Sequence, residues 1–224
     1  MMTVQRLVLV VDDDDSVRYS LKRLLRSVGY DVRTFTNAEQ VMVHGRPHET
    51  CCMVLDVRMP GVNGLDCHRA LATRSIRIPT IFLTGHGDVP TSVAAMKAGA
   101  SDFLSKPCEP RELLAAVERA LDFDARSLAA NKHLAELRLL SRTLTPRENE
   151  VFNGVVAGML NKQIAHDLGI TEKTVKIHRG RVMEKMRVGS LADLVRAAAA
   201  LEKDRQFDAS HFGDLTRVGF AQLA

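Results

Sequence analysis

The sequence predicts an α/β domain built as a doubly wound parallel sheet, followed by an all-α domain. Three observations carry that reading. Between Leu7 and Leu121, short apolar runs alternate five times with segments of helical periodicity, the pattern of a parallel sheet covered on both faces. Beyond Thr143 no strand-like run remains. The 224 residues, 46% apolar and 26% charged, are long for one domain and comfortable for two.

Taken in order, Leu7 to Val11 is the first strand and runs into Asp12 and Asp13. Val17, Leu21, Leu24, Leu25 and Val28 then recur at helical spacing, giving an amphipathic helix that Gly29 stops. Asp31 to Phe35 is the second strand. Asn37 opens the second helix with Gln40 three residues on as its capping partner, and Gly45 with Pro47 ends it. Met53, Val54 and Leu55 form a short buried strand that delivers Asp56 to its own C-terminal lip, just before the Pro60-Gly61 turn and Gly64. Leu65 to Ala72 is the third helix. Thr80 to Leu83 is a strand ending at Thr84, and Pro90 to Ala98 is the fourth helix, closed by Gly99. Asp102 to Leu104 is the last strand, followed by Ser105 and Lys106, and Pro110 begins a fifth helix that runs past Leu121.

Strands laid side by side in this way bring three acids, a hydroxyl and an ammonium to the C-terminal lip, where open parallel sheets bind ligands. Carboxylates held within about 5 Å repel by a few kcal/mol per pair at an effective dielectric near 20. A cation or a proton must relieve that repulsion, and hard oxygen ligands with room for water suit Mg²⁺. Such an ion neutralises a transferring phosphoryl group, with Lys106 balancing another oxygen and Asp56 attacking as nucleophile. Plainer roles exist for each residue taken singly. Asp14 and Asp15 can cap the first helix against its dipole, Thr84 can be an ordinary strand-end hydroxyl, Lys106 a surface amine and Phe103 a core residue.

From Asp122 to Thr143, Leu128, Leu134, Leu137 and Leu140 are interleaved with Arg126, Lys132, Glu136, Arg138 and Arg142. This stretch reads as a helical linker continuing the fifth helix, either with a dimer seam or packed within its own chain. Thr145-Pro146-Arg147-Glu148 is a capping box with proline at the first helical position. Its helix is closed by Gly158. Asn161 to Leu168, ended by Gly169, and a longer helix from Thr171 to about Met186 form a helix-turn-helix signature. Ser190 to Leu201 is the fourth helix of this domain, and 202–224 is expected to be a partly disordered tail.

Val175, Val182 and Met186 make the inward stripe of the Thr171 helix, leaving Lys173, Lys176, Ile177, Gly180 and Arg181 mostly on the other side. From Thr171 to Arg187 six basic residues face two acidic ones, whereas Met1 to Leu121 carries fifteen basic against fourteen acidic. A positive helix preceded by a short helix and a turn suits the major groove of DNA. The four cysteines show no C-x-x-C spacing, so reduced, mostly buried thiols are expected rather than a zinc site or disulfides. No stretch approaches the roughly 20 apolar residues of a membrane span, and a cytoplasmic protein without membrane partners is expected.

Residues Leu7 to about Leu121 resemble the receiver domain of two-component response regulators: the acidic pair Asp12 and Asp13, the acceptor Asp56, the hydroxyl Thr84 and the Lys106-Pro107 pair match that family's motifs one by one. The resemblance implies a flavodoxin-like sheet of order 2-1-3-4-5 and phosphoryl transfer to Asp56 from a sensor histidine kinase. It implies that Asp13, Asp56 and the Arg58 carbonyl bind Mg²⁺ directly, that Asp12 helps through water, and that Lys106-Pro107 is cis. It further implies that Phe103 rotates inward as Thr84 moves, on a loop loosened by Gly85 and Gly87, and that a homodimer forms on phosphorylation. The stretch Thr84 to Lys97 resembles the FixJ branch of the NarL/FixJ class. Leu144 to Leu201 resembles the LuxR-type DNA-binding domain, through LTPRENEV, NKQIAHDLGI and TVKIHRGRVMEKM. That resemblance places Lys176 and Ile177 at base edges, Gly180 at a point of close approach, and Lys173, Thr174, Arg179, Arg181 and Lys185 near phosphates of a double-stranded operator. It also gives the alanine-rich fourth helix dimer contacts.

The domains expected are therefore a receiver over 1–121, a linker over 122–143, a DNA-binding domain over 144–201 and a tail over 202–224. The leading reading is a phosphorylation-activated transcription factor, not an enzyme beyond its own phosphoacceptance and autodephosphorylation. A constitutive DNA binder with an idle receiver and a Mg²⁺-dependent phosphohydrolase stand as the alternatives.

Overall fold

The computed structural model describes residues 6–85 and 89–218, and side chains over 6–85 and 92–204. It divides into two compact units that meet between Ala129 and Ala130. In the first, β1 (Arg6–Val11), β2 (Asp31–Phe35), β3 (Thr50–Asp56), β4 (Thr80–Thr84) and β5 (Asp102–Ser105) pair in parallel in the order β2-β1-β3-β4-β5, as the resemblance implied. Alternate residues of the central strands point to opposite faces. Leu9, Met53, Leu55 and Phe82 pack with α2 (Ala38–His44), α3 (Gly64–Thr73) and α4 (Val89–Lys97) through Val41, Leu71 and Ala95. Val8, Val10, Val54, Ile81 and Leu83 pack with α1 (Asp15–Ser27) and α5 (Pro110–Ser141) through Leu25, Leu113, Val117 and Leu121. The strand order reverses between β1 and β3, and ligands of doubly wound sheets bind at that reversal. Val11 pairs with Leu55, so Asp12 and Asp56 emerge side by side at the switch point.

Local chemistry sets the boundaries. Asn37 caps α2, accepting from the Gln40 amide at 3.0 Å, and Gly45 closes it at φ 70°. Thr145 and Glu148 complete the capping box that opens α6 (Pro146–Val156). Gly169, in the left-handed conformation at φ 63°, ends α7 (Asn161–Leu168), and Thr171 caps α8 (Glu172–Lys185). Val28, expected on the inward stripe of α1, is instead 51% exposed, because the helix has already ended at Ser27. The cysteines are reduced: Cys51, Cys52 and Cys67 are buried and Cys108 is half-buried. Burial pushes the Cys51 thiol up to about 12, leaving it a hydrophobe rather than a nucleophile.

The stretch 122–143 is helical and continues the fifth helix as expected, with α5 running unbroken to Ser141. Asp124 is buried against the sheet, accepting from Arg46 at 2.9 Å and from the Cys51 amide at 2.9 Å, so the first unit holds α5 beyond Leu121. Farther along the same helix, Leu137 is buried in the core of the second unit with Leu134 and Leu140 packed beside it, so for these three leucines the alternative of packing within the chain holds. The final helix, α9 (Leu191–Val218), by contrast runs on past its predicted end at Leu201. No glycine or proline interrupts the sequence from Leu191 to Phe212, and Asp204 accepts from Arg138 at 2.6 Å, which anchors the continuation. Residues 219–224 of the expected tail, and Gly87 of the switch loop, lie outside the described residues.

Candidate functional site

The four-acid run after β1 divides into separate tasks. Asp12 is buried; one carboxylate oxygen accepts from the Asp14 amide at 2.9 Å and the other from Lys106 Nζ at 2.6 Å. Asp13 is exposed. Asp14 caps α1, accepting from the Ser16 and Val17 amides and the Ser16 hydroxyl; these bonds hold its carboxyl below the usual carboxylate range. Asp15 pairs with Arg18. The helix-capping role considered for this run thus falls to Asp14, leaving Asp12 and Asp13 at the rim.

Asp56, 8% exposed, meets the same lysine: Lys106 Nζ lies 2.8 Å from its Oδ2, while its Oδ1 accepts from the Arg58 amide at 3.1 Å. Carboxylate oxygens of Asp12, Asp13 and Asp56 all lie within 4.8 Å of one another. Burial works against the Lys106 ammonium, but hydrogen bonds to Asp12 and Asp56 and their charges outweigh it and raise the amine above its ordinary value. Three carboxylates and one ammonium leave two negative charges, so a divalent, oxygen-preferring cation matches both charge and donor set. The Lys106-Pro107 bond is cis, as the resemblance implied. The Lys106 amide donates to the Thr84 carbonyl at 2.6 Å, and the Thr84 side chain is buried at the end of β4. Phe103 is half-buried beside the α2, α3 and α4 face of the sheet.

Sequence reasoning missed two residues at this site. Arg18 donates from Nη1 to the Asp12 carbonyl at 2.6 Å. Its signal was available: it lies three and seven residues before Leu21 and Leu25, on the buried stripe of α1. Gly64 packs so tightly that a Cβ there would stand 2.1 Å from the Asp56 carbonyl oxygen. Nothing in the sequence distinguished it from an ordinary turn glycine.

In the second unit, Val175, Val182 and Met186 are buried on α8, and Lys173, Lys176, Ile177, Gly180 and Arg181 are exposed, as the periodicity predicted. A Cβ on Gly180 would meet nothing within 4 Å, so no internal contact requires glycine there. Thr174 is half-buried, 2.8 Å from the Thr171 hydroxyl, and Arg179 donates to Asn161 Oδ1 at 3.3 Å. Lys185 is engaged inside the unit: it donates to the buried Glu148 carboxylate at 2.6 Å and to the Thr143 carbonyl at 3.0 Å. Helix geometry turns this last lysine toward α6, away from the exposed face.

Comparison with known proteins adds sequence and structural relatives. The response regulator receiver domain family matches residues 8–118, and the luxR family of bacterial regulatory proteins matches 142–198. Nodulation protein W of Bradyrhizobium diazoefficiens is 50% identical over 199 residues, covering 89% of this chain and 88% of that protein. A low-resolution structure of the response regulator StyR superposes with a TM-score of 0.78 at 46% identity, covering 87% of this chain and 98% of that one. Full-length FixJ from B. japonicum gives a TM-score of 0.55 at 36% identity, covering 90% and 99%.

Proposed function

Because this chain belongs to the response regulators that join a receiver domain to a luxR-family DNA-binding domain, we propose that Asp56 is its phosphoacceptor and α8 its DNA reader. The protein is a transcription regulator governed by a phosphorelay; family membership implies a kinase and DNA as its partners. The observation that carries the site assignment is the Lys106 ammonium bridging Asp12 and Asp56 at the strand-order reversal, with Asp13 beside them.

In this reading a sensor histidine kinase presents its phosphohistidine, an Asp56 oxygen attacks the phosphorus in line, and the P–N bond breaks as the kinase's imidazole leaves. Asp13, Asp56 and the Arg58 carbonyl would hold Mg²⁺, with Asp12 helping through water, and the ion would supply charge neutralisation on the phosphoryl oxygens. Lys106 keeps Asp56 oriented and balances an oxygen of the incoming group. The acyl phosphate carries more negative charge and more acceptor oxygens than the carboxylate it replaces. Thr84 donates to one of them, Phe103 follows inward, and the α4, β5 and α5 surface becomes a dimer interface by a shifted equilibrium. Slow hydrolysis of the acyl phosphate at the same site resets the switch.

Two copies then set α8 in major grooves on half-sites about one DNA turn, roughly 34 Å, apart. Lys176 and Ile177 reach base edges, the latter through apolar contact to a thymine methyl. Lys173, Thr174, Arg179 and Arg181 hold phosphates, and Gly180 allows close approach. The cytoplasm, where kinase phosphohistidine and DNA are both accessible, is the setting; among the described residues no helix is long and apolar enough to cross a membrane.

The test is exposure of wild type and Asp56→Asn to an acyl phosphate donor with Mg²⁺, followed by footprinting. Label on wild type alone, with donor-dependent dimerisation and protection, supports the reading. Turnover of free substrate without lasting label returns the phosphohydrolase. Equal DNA affinity of the two proteins under all conditions returns the idle receiver.

A further inference from the structure

A cation is buried behind the acid cluster, and the transfer chemistry described above gives it no task. Arg18 sits on the inward stripe of α1 with its side chain 11% exposed, where Leu21 and Leu25 show that apolar residues pack. A buried guanidinium lowers stability relative to a packed hydrophobe unless its donors are satisfied. Its partners here are the Asp12 carbonyl at 2.6 Å and the carboxylate of Asp15, which is 93% exposed.

The geometry points to Arg18 as a positioning residue that aims Asp13 at the divalent cation by clamping the Asp12-Asp13 peptide. This rests on the reading of Asp13 and Asp56 as the ion's ligands. Asp12 is fixed at each polar group: its amide donates to the Phe35 carbonyl at 3.2 Å, its two carboxylate oxygens accept from Asp14 and Lys106, and its carbonyl accepts from Arg18. The carbonyl of Asp12 belongs to the peptide whose nitrogen is that of Asp13. Arg18 therefore sets the plane from which the Asp13 side chain departs. Asp15, one turn back on the same helix, holds the guanidinium in place and neutralises it, so the clamp brings little net repulsion to the arriving cation.

Clamping and charge predict opposite signs. Removing the guanidinium frees the Asp15 charge, and charge alone would tighten divalent binding. Loss of the clamp weakens it, as loss of groups that orient metal ligands does.

Titration calorimetry of the full chain with MgCl₂, without phosphodonor, reads the affinity. Arg18→Met is expected to bind Mg²⁺ about tenfold more weakly, and Arg18→Lys, which keeps the charge but has one nitrogen in place of the guanidinium fork, about threefold more weakly. In labelling by acetyl phosphate the half-saturating Mg²⁺ concentration rises by the same factors, while the rate at saturating Mg²⁺ returns to within about twofold of wild type. Tighter or unchanged binding by Arg18→Met overturns the proposal. If melting curves show that Arg18→Met does not fold, Arg18→Lys decides: affinity equal to wild type overturns it. A wild-type chain that neither binds Mg²⁺ nor takes label overturns the phosphoacceptor reading and this one with it. Active wild type with unaltered variants overturns this one alone.

Discussion

Lys185 and Glu148 form a 2.6 Å ion pair between α8 and α6, with the carboxylate buried and its second task the capping of α6 through the Thr145 amide at 2.9 Å. The hydrogen bond from Lys185, and then that from the Thr145 amide, hold the Glu148 carboxyl down to about 2 against an ordinary 4.5. A depressed carboxylate contributes stability that is present above its unfolded value and is lost as pH falls through the folded one. The second unit is therefore expected to lose stability between about pH 4.5 and about pH 2, as followed by helical circular dichroism. Glu148→Gln should melt earlier at neutral pH and show a flatter acid limb.

The same pair separates Lys185 from the residues proposed to touch DNA. Lys173→Ala and Arg181→Ala should weaken binding across sequences and reduce the salt slope by about 0.9 each. Lys176→Ala should relax specificity at one position at a cost of about 1–3 kcal/mol. Lys185→Ala should leave the salt slope unchanged while lowering the melting temperature. Fluorescence anisotropy over a salt series distinguishes these outcomes; a full-size slope change for Lys185→Ala would return it to the phosphate contacts.

Lys106 competes with any divalent ion for Asp12 and Asp56. Replacing it with methionine removes that competitor and leaves three carboxylates facing one another, so Mg²⁺ affinity should rise about tenfold or more. The label taken up by Asp56 should nevertheless no longer drive dimerisation. Calorimetry and sedimentation of the phosphorylated variant check the two halves of this expectation.

Gly64 bears on the acceptor through backbone contact. Its missing Cβ is what lets α3 begin 2.1 Å, from that hypothetical atom, off the Asp56 carbonyl. Gly64→Ala must move β3 or α3, and a loss of about 1–3 kcal/mol in urea unfolding is expected together with slower labelling of Asp56.

Gly154 plays the corresponding part between α6 and α7, where a Cβ would lie 2.9 Å from Cγ1 of the buried Ile164. Gly154→Ala should destabilise the second unit by about 1–3 kcal/mol and leave labelling of Asp56 unchanged. Undiminished stability would show that Ile164 has an alternative rotamer to take up.

The elements were legible because each depends on short-range chemistry. The Asn37 and Thr145 caps, the Gly45 and Gly169 stops and the five apolar runs, four of them leading into Asp12, Asp56, Thr84 and Ser105-Lys106, are local patterns that the tertiary structure preserves. Their extent was less legible. α9 continues past its predicted end at Leu201, where Asp204 finds Arg138, 66 residues away, and α5, expected to run on, is held beyond Leu121 by Asp124 on Arg46, 78 residues away. The leucines at 134, 137 and 140 carry a stripe that periodicity detects, yet periodicity does not say whether a second copy or the same chain covers it. By itself the sequence determined which chemistry gathers at the sheet's rim, since strand alternation and parallel order deliver those side chains to one end. Only the tertiary structure decided which charges are already matched, Lys185 by Glu148 and Arg18 by Asp15 and the Asp12 carbonyl, because a side chain's partner is set by packing in three dimensions rather than by its neighbours along the chain.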